Sequence, residues 1–299
     1  MNFLDNLFGF GRDETPGERI FFKLFELFVV LGTVYLAWTW GRYTLRISDV
    51  VLPLGIAQYI DVSVFFGNVL PLVNAALITV LLAAGFFRVT RAAYLLAFLL
   101  LHVQYAARYS LGEIPHSANL LGMTLLGLAL AALFFRRPVE VRRFTLGFTY
   151  FFTGLGYTLA GVSKLVGTGV SWADGRHLWM WIYEKGIDAL SKTGAADLNV
   201  LQELALADHT VATAFLAFGM LTELGAWLMW WRRFRTPVIL AVLGLHLGIF
   251  WVMNIMFYLA FYELVLLGLP WAAWIDRARA VPAAGRVLEP VERFTMRFA

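Results

Sequence analysis

The fold is decided by the stretch Phe148-Thr-Tyr-Phe-Phe-Thr-Gly-Leu-Gly-Tyr-Thr-Leu-Ala-Gly-Val-Ser-Lys-Leu165, which is apolar enough to cross a bilayer. Gly147, Gly154 and Gly161 recur every seven residues, so they lie close to one face of the predicted helix. In a membrane, small residues mark the places where helices approach closely. Lys164 follows Gly161 by one short turn, roughly 60° around the helix from that face. A lysine inside a bundle indicates a functional site, whereas one that extends to the interface is structural.

The composition places the chain among integral membrane proteins. Of its 299 residues, 60% are hydrophobic and 15% are charged. A soluble domain has about 45–50% apolar residues and about 25% charged residues. Cysteine is absent from the sequence, which excludes disulfides, iron–sulfur ligation and thiolate chemistry. The first ten residues lack the basic stretch of a cleavable signal peptide. The arginines lie in short loops between apolar stretches, where they orient a membrane protein and do not indicate nucleic-acid binding.

The apolar stretches predict an all-α polytopic membrane bundle of about eight transmembrane helices with additional interfacial helices. The predicted spans are about 20–40, 64–87, 92–109, 115–135, 144–166, 209–231 and two within 236–275. The last run would measure about 60 Å as a single helix, twice the hydrocarbon thickness. We therefore place a turn at Asn254. The aromatic-rich segment 167–208 predicts helices that lie along the outer surface.

Three regions follow from this pattern: an N-terminal interfacial segment at 1–19, a transmembrane domain at 20–275 and a basic tail at 276–299. If both termini face the cytoplasm, 17 of the 24 lysines and arginines fall on the cytoplasmic side and six fall outside. This asymmetry satisfies the positive-inside rule. It predicts a multi-pass protein with cytoplasmic N and C termini.

This topology assigns a depth to each polar residue of the spans. An outer-leaflet cluster is predicted from five of them, namely Arg108, His116, Asn119, Lys164 and Glu263. His102, Glu223 and His246 fall at middle depth, and Glu223 with His246 is the expected pair, because intramembrane charges are usually paired. For each residue alone, an ordinary interhelical hydrogen bond is the competing interpretation.

Among an ion pair, a haem site and nucleotide- or zinc-binding motifs, the sequence favours the ion pair alone. Lys23 and Glu26 are three apart near the start of the first span and predict an ordinary ion pair. His102 and His246 have the depth that axial haem ligands need, but the chain lacks a second histidine pair, so we expect no haem. The sequence contains no phosphate-binding loop, dinucleotide fingerprint or zinc-ligand spacing.

One motif resembles a known family. The run Tyr157-Thr-Leu-Ala-Gly-Val-Ser-Lys-Leu165, followed by Trp172 and Gly175, resembles the signature of the vitamin K-dependent γ-carboxylase superfamily, which includes bacterial proteins with an HTTM (horizontally transferred transmembrane) domain. His116-Ser-Ala-Asn-Leu-Leu-Gly122 and the stretch from His246 to Tyr258 are similar to family segments in order and spacing. The resemblance covers roughly residues 15 to 275. It implies a bacterial inner-membrane protein with the transmembrane fold of that family.

The resemblance also implies site residues. Lys164 matches the lysine that deprotonates vitamin K hydroquinone in the carboxylases, and His116 and His246 match family histidines. Ser163 stands where the vertebrate enzyme has a second lysine, and the sequence printed here ends soon after the last predicted span, where the carboxylases carry a large extracytoplasmic domain. Tyr157 and Trp172 of the motif are expected to contact a ligand. Asn119, Arg108 and Glu263 are expected to contact it because of their predicted depth, and Glu263 has no counterpart in the family.

Two classes of function follow. The first is a binding protein or quinol-dependent enzyme for a lipophilic quinone or lipid, with Lys164 as base or anchor and a non-peptide or unknown substrate. The second is a non-catalytic subunit of a larger membrane complex. A transporter is disfavoured because the sequence shows no inverted repeats or paired broken helices. Expected partners are membrane lipids, a quinone and membrane-complex subunits, with no metal and no nucleic acid.

Overall fold

The computed structural model describes residues 2–47, 52, 54–112 and 116–297, and for 116, 117, 296 and 297 the backbone alone. Pro115, the predicted start of the fourth span, and the His116 side chain therefore lie outside the described residues. The described residues form no strand, which confirms the all-α class. The helices are α1 Phe3–Leu7, α2 Pro16–Thr44, α3 Leu70–Phe86, α4 Ala93–Tyr109, α5 His116–Phe134, α6 Pro138–Thr168, α7 Gly175–Thr193, α8 Val200–Ala207, α9 His209–Leu224, α10 Arg232–Met253, α11 Tyr258–Gly268, α12 Trp271–Arg279 and α13 Pro282–Arg297.

Some of these helices have the length and composition of membrane spans. Among the described residues, α2 and α10 each qualify, and the bent pairs α8–α9 and α11–α12 raise the number to four if each pair is one span. Helix α3 has 17 residues, so it measures about 26 Å against a hydrocarbon core of about 30 Å. Helix α6, with 31 residues, is long enough but is not among the candidates, so the prediction that its stretch 148–165 is apolar enough to cross a bilayer is not confirmed. Helix length and apolar composition together support a membrane protein but fewer spans than the eight that the apolar pattern predicts.

The long apolar run near the end of the chain is broken twice. Helix α10 ends at Met253, and Asn254 adopts a left-handed conformation with φ of 52°, which confirms the predicted turn at this residue. A second break at Leu269–Pro270 corrects the predicted last span. Proline lacks the N–H group that a helix needs and disfavours a helical residue before it. The run therefore continues as α11 and α12, which are bent by 55°.

Two other predicted spans are shorter in the structure, and in both a side-chain oxygen accepts from a backbone N–H near the end of the helix. Helix α3 begins at Leu70, whose N–H donates to Asn68 Oδ1 at 2.8 Å, six residues after the predicted start. Helix α9 ends at Leu224 and is followed by a 3₁₀ turn over Ala226–Trp230. In that turn the N–H of Trp227 donates to Thr158 Oγ1 at 3.0 Å instead of continuing the α-helical ladder.

The chain forms two compact units, which we call unit 1 (Met1–Thr149 with Pro270–Ala299) and unit 2 (Tyr150–Leu269). In unit 1, α2 packs against α3, α4, α5, α12 and α13. Its first turn approaches α12 closely, since a Cβ at Gly17 would lie 2.2 Å from the carbonyl oxygen of Ala272, and the Gly17 N–H donates to Asp276 at 2.7 Å. The segment predicted as a basic tail is thus helical and packed on α2.

Glu26, fully buried in α2, is the centre of a charged network in unit 1. Lys23 Nζ donates to it at 3.0 Å, which confirms the predicted ion pair. The Arg88 guanidinium donates to both carboxylate oxygens, and the Tyr94 hydroxyl donates to one at 2.5 Å. A buried carboxylate is tolerated only when charge and hydrogen bonds compensate it. The network therefore fixes α2 against the α3–α4 turn.

In unit 2, α9 packs against α7, α8 and α10, and α10 packs against α11. Helix α8 begins at a capping box formed by Asn199 and Gln202. The same two side-chain amides donate to carbonyl oxygens at the end of α10, Asn199 to Trp251 at 2.6 Å and Gln202 to Val252 at 3.0 Å. The last carbonyls of a helix lack intrahelical partners, so these bonds hold α8 to the end of α10.

Candidate functional site

Gly161 brings α6 into direct contact with α9 in unit 2. A Cβ atom at Gly161 would lie 2.9 Å from the backbone nitrogen of Leu224 and 3.1 Å from the Cβ of Glu223. Both distances are too short for an undisturbed side chain, so the helices keep this separation only with glycine. Gly154, seven residues earlier, lies equally close to Trp230, whose Nε1 would be 2.6 Å from an added Cβ. The face predicted from the glycine spacing is therefore a helix contact.

Lys164 and Glu223 form an ion pair beside this contact. Lys164 Nζ donates to both carboxylate oxygens of Glu223. The Glu223 side chain is 9% exposed and that of Lys164 is 26% exposed, so the carboxylate is the more deeply buried member. Because residues three apart are neighbours on a helix surface, Lys164 meets α9 where Gly161 allows the closest approach. Its ammonium also lies 4.8 Å from the ring centroid of Trp172, a cation–π distance.

An apolar cavity of about 540 Å³ opens at this ion pair. Lys164 and Glu223 are the charged residues of its lining, and the rest of the lining is glycine or apolar side chains. Gly248 leaves space for the cavity, because a Cβ at this position would meet nothing within 4 Å. Small-molecule sites have about 300–1,000 Å³ and a mostly apolar wall with a few polar groups. Among the aromatic and aliphatic residues of the wall are Trp172, Trp181, Phe215, Phe218, Ile249 and Phe257.

Tyr157 and His246 form a second polar pair in unit 2. The Tyr157 hydroxyl lies 2.5 Å from His246 Nε2, and the histidine is 8% exposed. His246 Nδ1 is buried and has no hydrogen-bond partner among the described residues. The imidazole meets Phe257 edge to face, with ring centroids 5.3 Å apart. Phe257 lines the cavity whereas the described lining omits Tyr157 and His246, so this pair supports the wall through Phe257.

Five of the residues predicted for the site belong to unit 2. The structure brings Lys164 together with Trp172, and Tyr157 together with His246. Glu263 is fully buried in α11, with its carboxylate in electrostatic reach of Tyr157.

The other predicted residues belong to unit 1. Arg108 places its guanidinium 3.8 Å from the ring centroid of Tyr43, and Asn119 is exposed on α5. The side chain of His116 lies outside the described residues. The predicted outer-leaflet cluster takes members from both units and stays a prediction.

Glu223 is the residue of the cavity lining whose partner differs from the sequence-based prediction. Equal depth predicts a pair with His246, and this prediction is wrong, because Glu223 binds Lys164 and His246 binds Tyr157. A depth read from sequence is that of the backbone, whereas the long stem of a lysine carries its charge well away from its own Cα. The cavity has one sequence signal: Gly244 and Gly248 are four apart and share a helix face.

Asp174 joins the start of helix α7 to the start of α9. Its Oδ1 accepts from the Arg176 N–H at 2.9 Å, as the N-cap of α7, and lies 2.8 Å from His209 Nε2. The hydrogen bond with His209, followed by those from Arg176, lowers the pKa of Asp174 well below its usual range. Trp179 packs edge to face on the same imidazole. Since Trp172 and Trp181 of this region line the cavity, the contact between Asp174 and His209 holds part of the cavity wall in place.

Comparison with known proteins finds no relative of this chain. No protein-family model, curated protein or solved structure matches the chain.

Proposed function

We propose that unit 2 binds a lipophilic quinone-like molecule or lipid, with its polar head at the Lys164–Glu223 pair and its body against the apolar wall. The observation that carries this proposal is a cavity of about 540 Å³ whose charged lining is a single ion pair. An ammonium and a carboxylate side by side offer a donor and an acceptor to one hydroxyl or carbonyl group. The apolar wall favours ligands that partition into membranes.

The ion pair also supplies a base of the kind that the γ-carboxylase resemblance implies. Transfer of one proton from Lys164 to Glu223 leaves a neutral amine and a neutral acid. The amine then accepts the proton of a quinol hydroxyl, which leaves a quinolate anion beside the restored ammonium. A positioned side chain that takes a proton in this way acts as a general base. Lys164 is thus our candidate catalytic residue, with Glu223 as its proton acceptor.

We place this cavity toward the outer leaflet of a bacterial inner membrane, in a protein with eight spans and cytoplasmic termini. Support comes from the concentration of 17 of the 24 basic residues in the segments assigned to the cytoplasm. The short helices α3 and α5 reach the required length only with flanking residues or local thinning of the bilayer, which membranes allow at modest cost.

The proposal is tested by titrating the purified full-length chain, in phosphatidylcholine nanodiscs, with a short-chain prenyl naphthoquinone. Trp172 and Trp181 line the cavity, so bound quinone should quench tryptophan fluorescence in a saturable manner. Gly248→Leu fills the open space and should abolish saturation. Lys164→Met removes a charged hydrogen bond and should weaken binding about ten- to hundredfold.

Gly186→Leu is the matched control, because a Cβ at Gly186 also meets nothing within 4 Å but the residue lies on α7 away from the described cavity lining. It should bind like the wild type. Lys164→Arg keeps the charge but not a removable proton, so it should retain binding better than Lys164→Met. Quenching that does not saturate, or that is equal in all variants, would favour a non-catalytic subunit of a membrane complex.

A further inference from the structure

Unit 1 contains a second cavity, of about 260 Å³, with the opposite character. It lies where the α3–α4 turn meets the α5–α6 turn, and its described lining contains three arginines and no acidic residue. These are Arg88, Arg91 and Arg136, accompanied by the buried Tyr94. The remaining wall is largely apolar and includes Leu128 and Phe135. A cavity that gathers cations without acidic residues is a site for an anion.

The arginines of this cavity differ in their charge balance from others nearby. Arg142 pairs with Glu14 at 2.6 Å, and Arg137 lies 3.6 Å from Glu140. Arg91 and Arg136 form no ion pair or side-chain hydrogen bond with the described residues. Arg88 is bound to Glu26, but Lys23 and Tyr94 already share that carboxylate. The cavity therefore retains positive charge that the described part of the protein does not neutralise.

Backbone groups at the same cavity add to its preference for anions. Helix α4 begins at Ala93, and its N-cap residue, Ala92, provides no side-chain acceptor for the first N–H groups. Helix α6 begins at Pro138, which lines the cavity. Proline has no N–H group, and the N–H groups of Glu140 and Val141 already donate to the Arg137 carbonyl, so α6 contributes its helix dipole and not free donors. Helix N-termini carry partial positive charge and unsatisfied N–H groups, and they commonly bind phosphate. The α3 end contributes a carbonyl, that of Gly85, which already accepts from Arg88 at 3.1 Å.

We propose that this cavity binds a phosphate group, that of an anionic membrane phospholipid. Guanidinium groups bind phosphate oxygens in a bidentate manner. In the topology proposed above, the α3–α4 and α5–α6 turns face the cytoplasm, where basic pockets between membrane helices bind lipid head groups. Phe135 and Ala132, both partly exposed, provide apolar surface for the glycerol and upper acyl chain, which free phosphate would not need.

The test compares a double variant with an equally charged control in the full-length protein. Arg91→Gln/Arg136→Gln removes the two guanidiniums of the cavity that have no ion-pair partner among the described residues. The control, Arg277→Gln/Arg286→Gln, removes two guanidiniums from α12 and α13, which face the same side in the proposed topology. Native mass spectrometry after reconstitution in phosphatidylcholine with or without phosphatidylglycerol measures retained lipid. Binding of phosphatidylglycerol should be about thirtyfold weaker in the cavity variant and unchanged in the control.

Two further measurements separate the outcomes. Far-UV circular dichroism and gel filtration establish that both variants are folded, since all four substituted side chains lie at least partly in solvent. Competition with inorganic phosphate identifies the source of the ligand: lipid retained at millimolar phosphate indicates the phospholipid, whereas phosphate binding without retained lipid supports the phosphate site but not the lipid. The proposal is overturned if wild type retains neither ligand, or if the control loses as much as the cavity variant.

Discussion

Replacing Gly161 by alanine tests how the ion pair of unit 2 is assembled. The added Cβ would lie 2.9 Å from the Leu224 nitrogen and 3.1 Å from the Glu223 Cβ, so α6 and α9 must separate by several tenths of an ångström. Overpacking of this kind costs about 1–3 kcal/mol, and the higher helix propensity of alanine returns about 1 kcal/mol. We therefore expect the free energy of unfolding to fall by up to about 2 kcal/mol, and quinone binding to weaken because Lys164 and Glu223 move apart.

Gly156→Ala is the matched control on the same helix. Its Cβ would meet nothing within 4 Å, so no clash opposes the higher helix propensity of alanine. The free energy of unfolding should therefore rise by up to about 1 kcal/mol. Unfolding titrated with sodium dodecyl sulfate from dodecyl maltoside micelles, followed by far-UV circular dichroism, measures both variants. If Gly161→Ala were as stable as Gly156→Ala, the close approach of α6 and α9 would be refuted.

Three further predictions concern charge and topology. Lys164→Met should lower the free energy of unfolding by about 3 kcal/mol, because it leaves the buried Glu223 carboxylate uncompensated. The double variant Lys164→Met/Glu223→Gln should recover at least half of this loss. Equal stability of the single and double variants in the detergent titration would contradict a buried pair. In intact cells, Ser191→Cys should react with an impermeant thiol reagent and a cysteine within 136–143 should not, and the reverse labelling would invert the topology. Folding lowers the pKa of Asp174, so its contribution to stability is complete above roughly pH 4, its unfolded value, and is lost as the pH falls through the folded value. Asp174→Asn should therefore flatten the dependence of stability on acid pH, measured by the tryptophan fluorescence of unfolding. An unchanged acid transition would exclude the Asp174–His209 contact as a source of stability.

The sequence predicts the helices of this chain better than their ends. Apolar periodicity identifies the helical class, and Asn254 marks a turn because it tolerates a left-handed backbone. The break at Pro270 follows from the same backbone chemistry but is hidden within a strongly apolar run. The start of α3 depends on Asn68 Oδ1 accepting from a backbone N–H. Such side-chain-to-backbone bonds at helix ends are local details that hydropathy averages out.

The site is less predictable because it depends on distances between helices. Glycine spacing correctly marks the contact face at Gly161, since small residues are where membrane helices approach. The partner of Lys164 is fixed by how far its side chain reaches once the helices pack, which no residue pattern encodes. The cavity is likewise a space left unfilled at Gly248. Sequence reasoning locates the lysine, and tertiary packing supplies its carboxylate and its cavity.

Photoaffinity labelling tests most directly whether the unit 2 cavity is a ligand site. A prenyl naphthoquinone carrying a diazirine on its tail would be cross-linked to the full-length protein in nanodiscs, and the adducts mapped by peptide mass spectrometry. We predict saturable adducts on cavity-lining residues of α9 and α10, Phe218 and Ile249 among them, that disappear in Gly248→Leu and persist in Gly186→Leu. Adducts spread over lipid-facing positions and unchanged in Gly248→Leu would contradict a ligand-binding cavity.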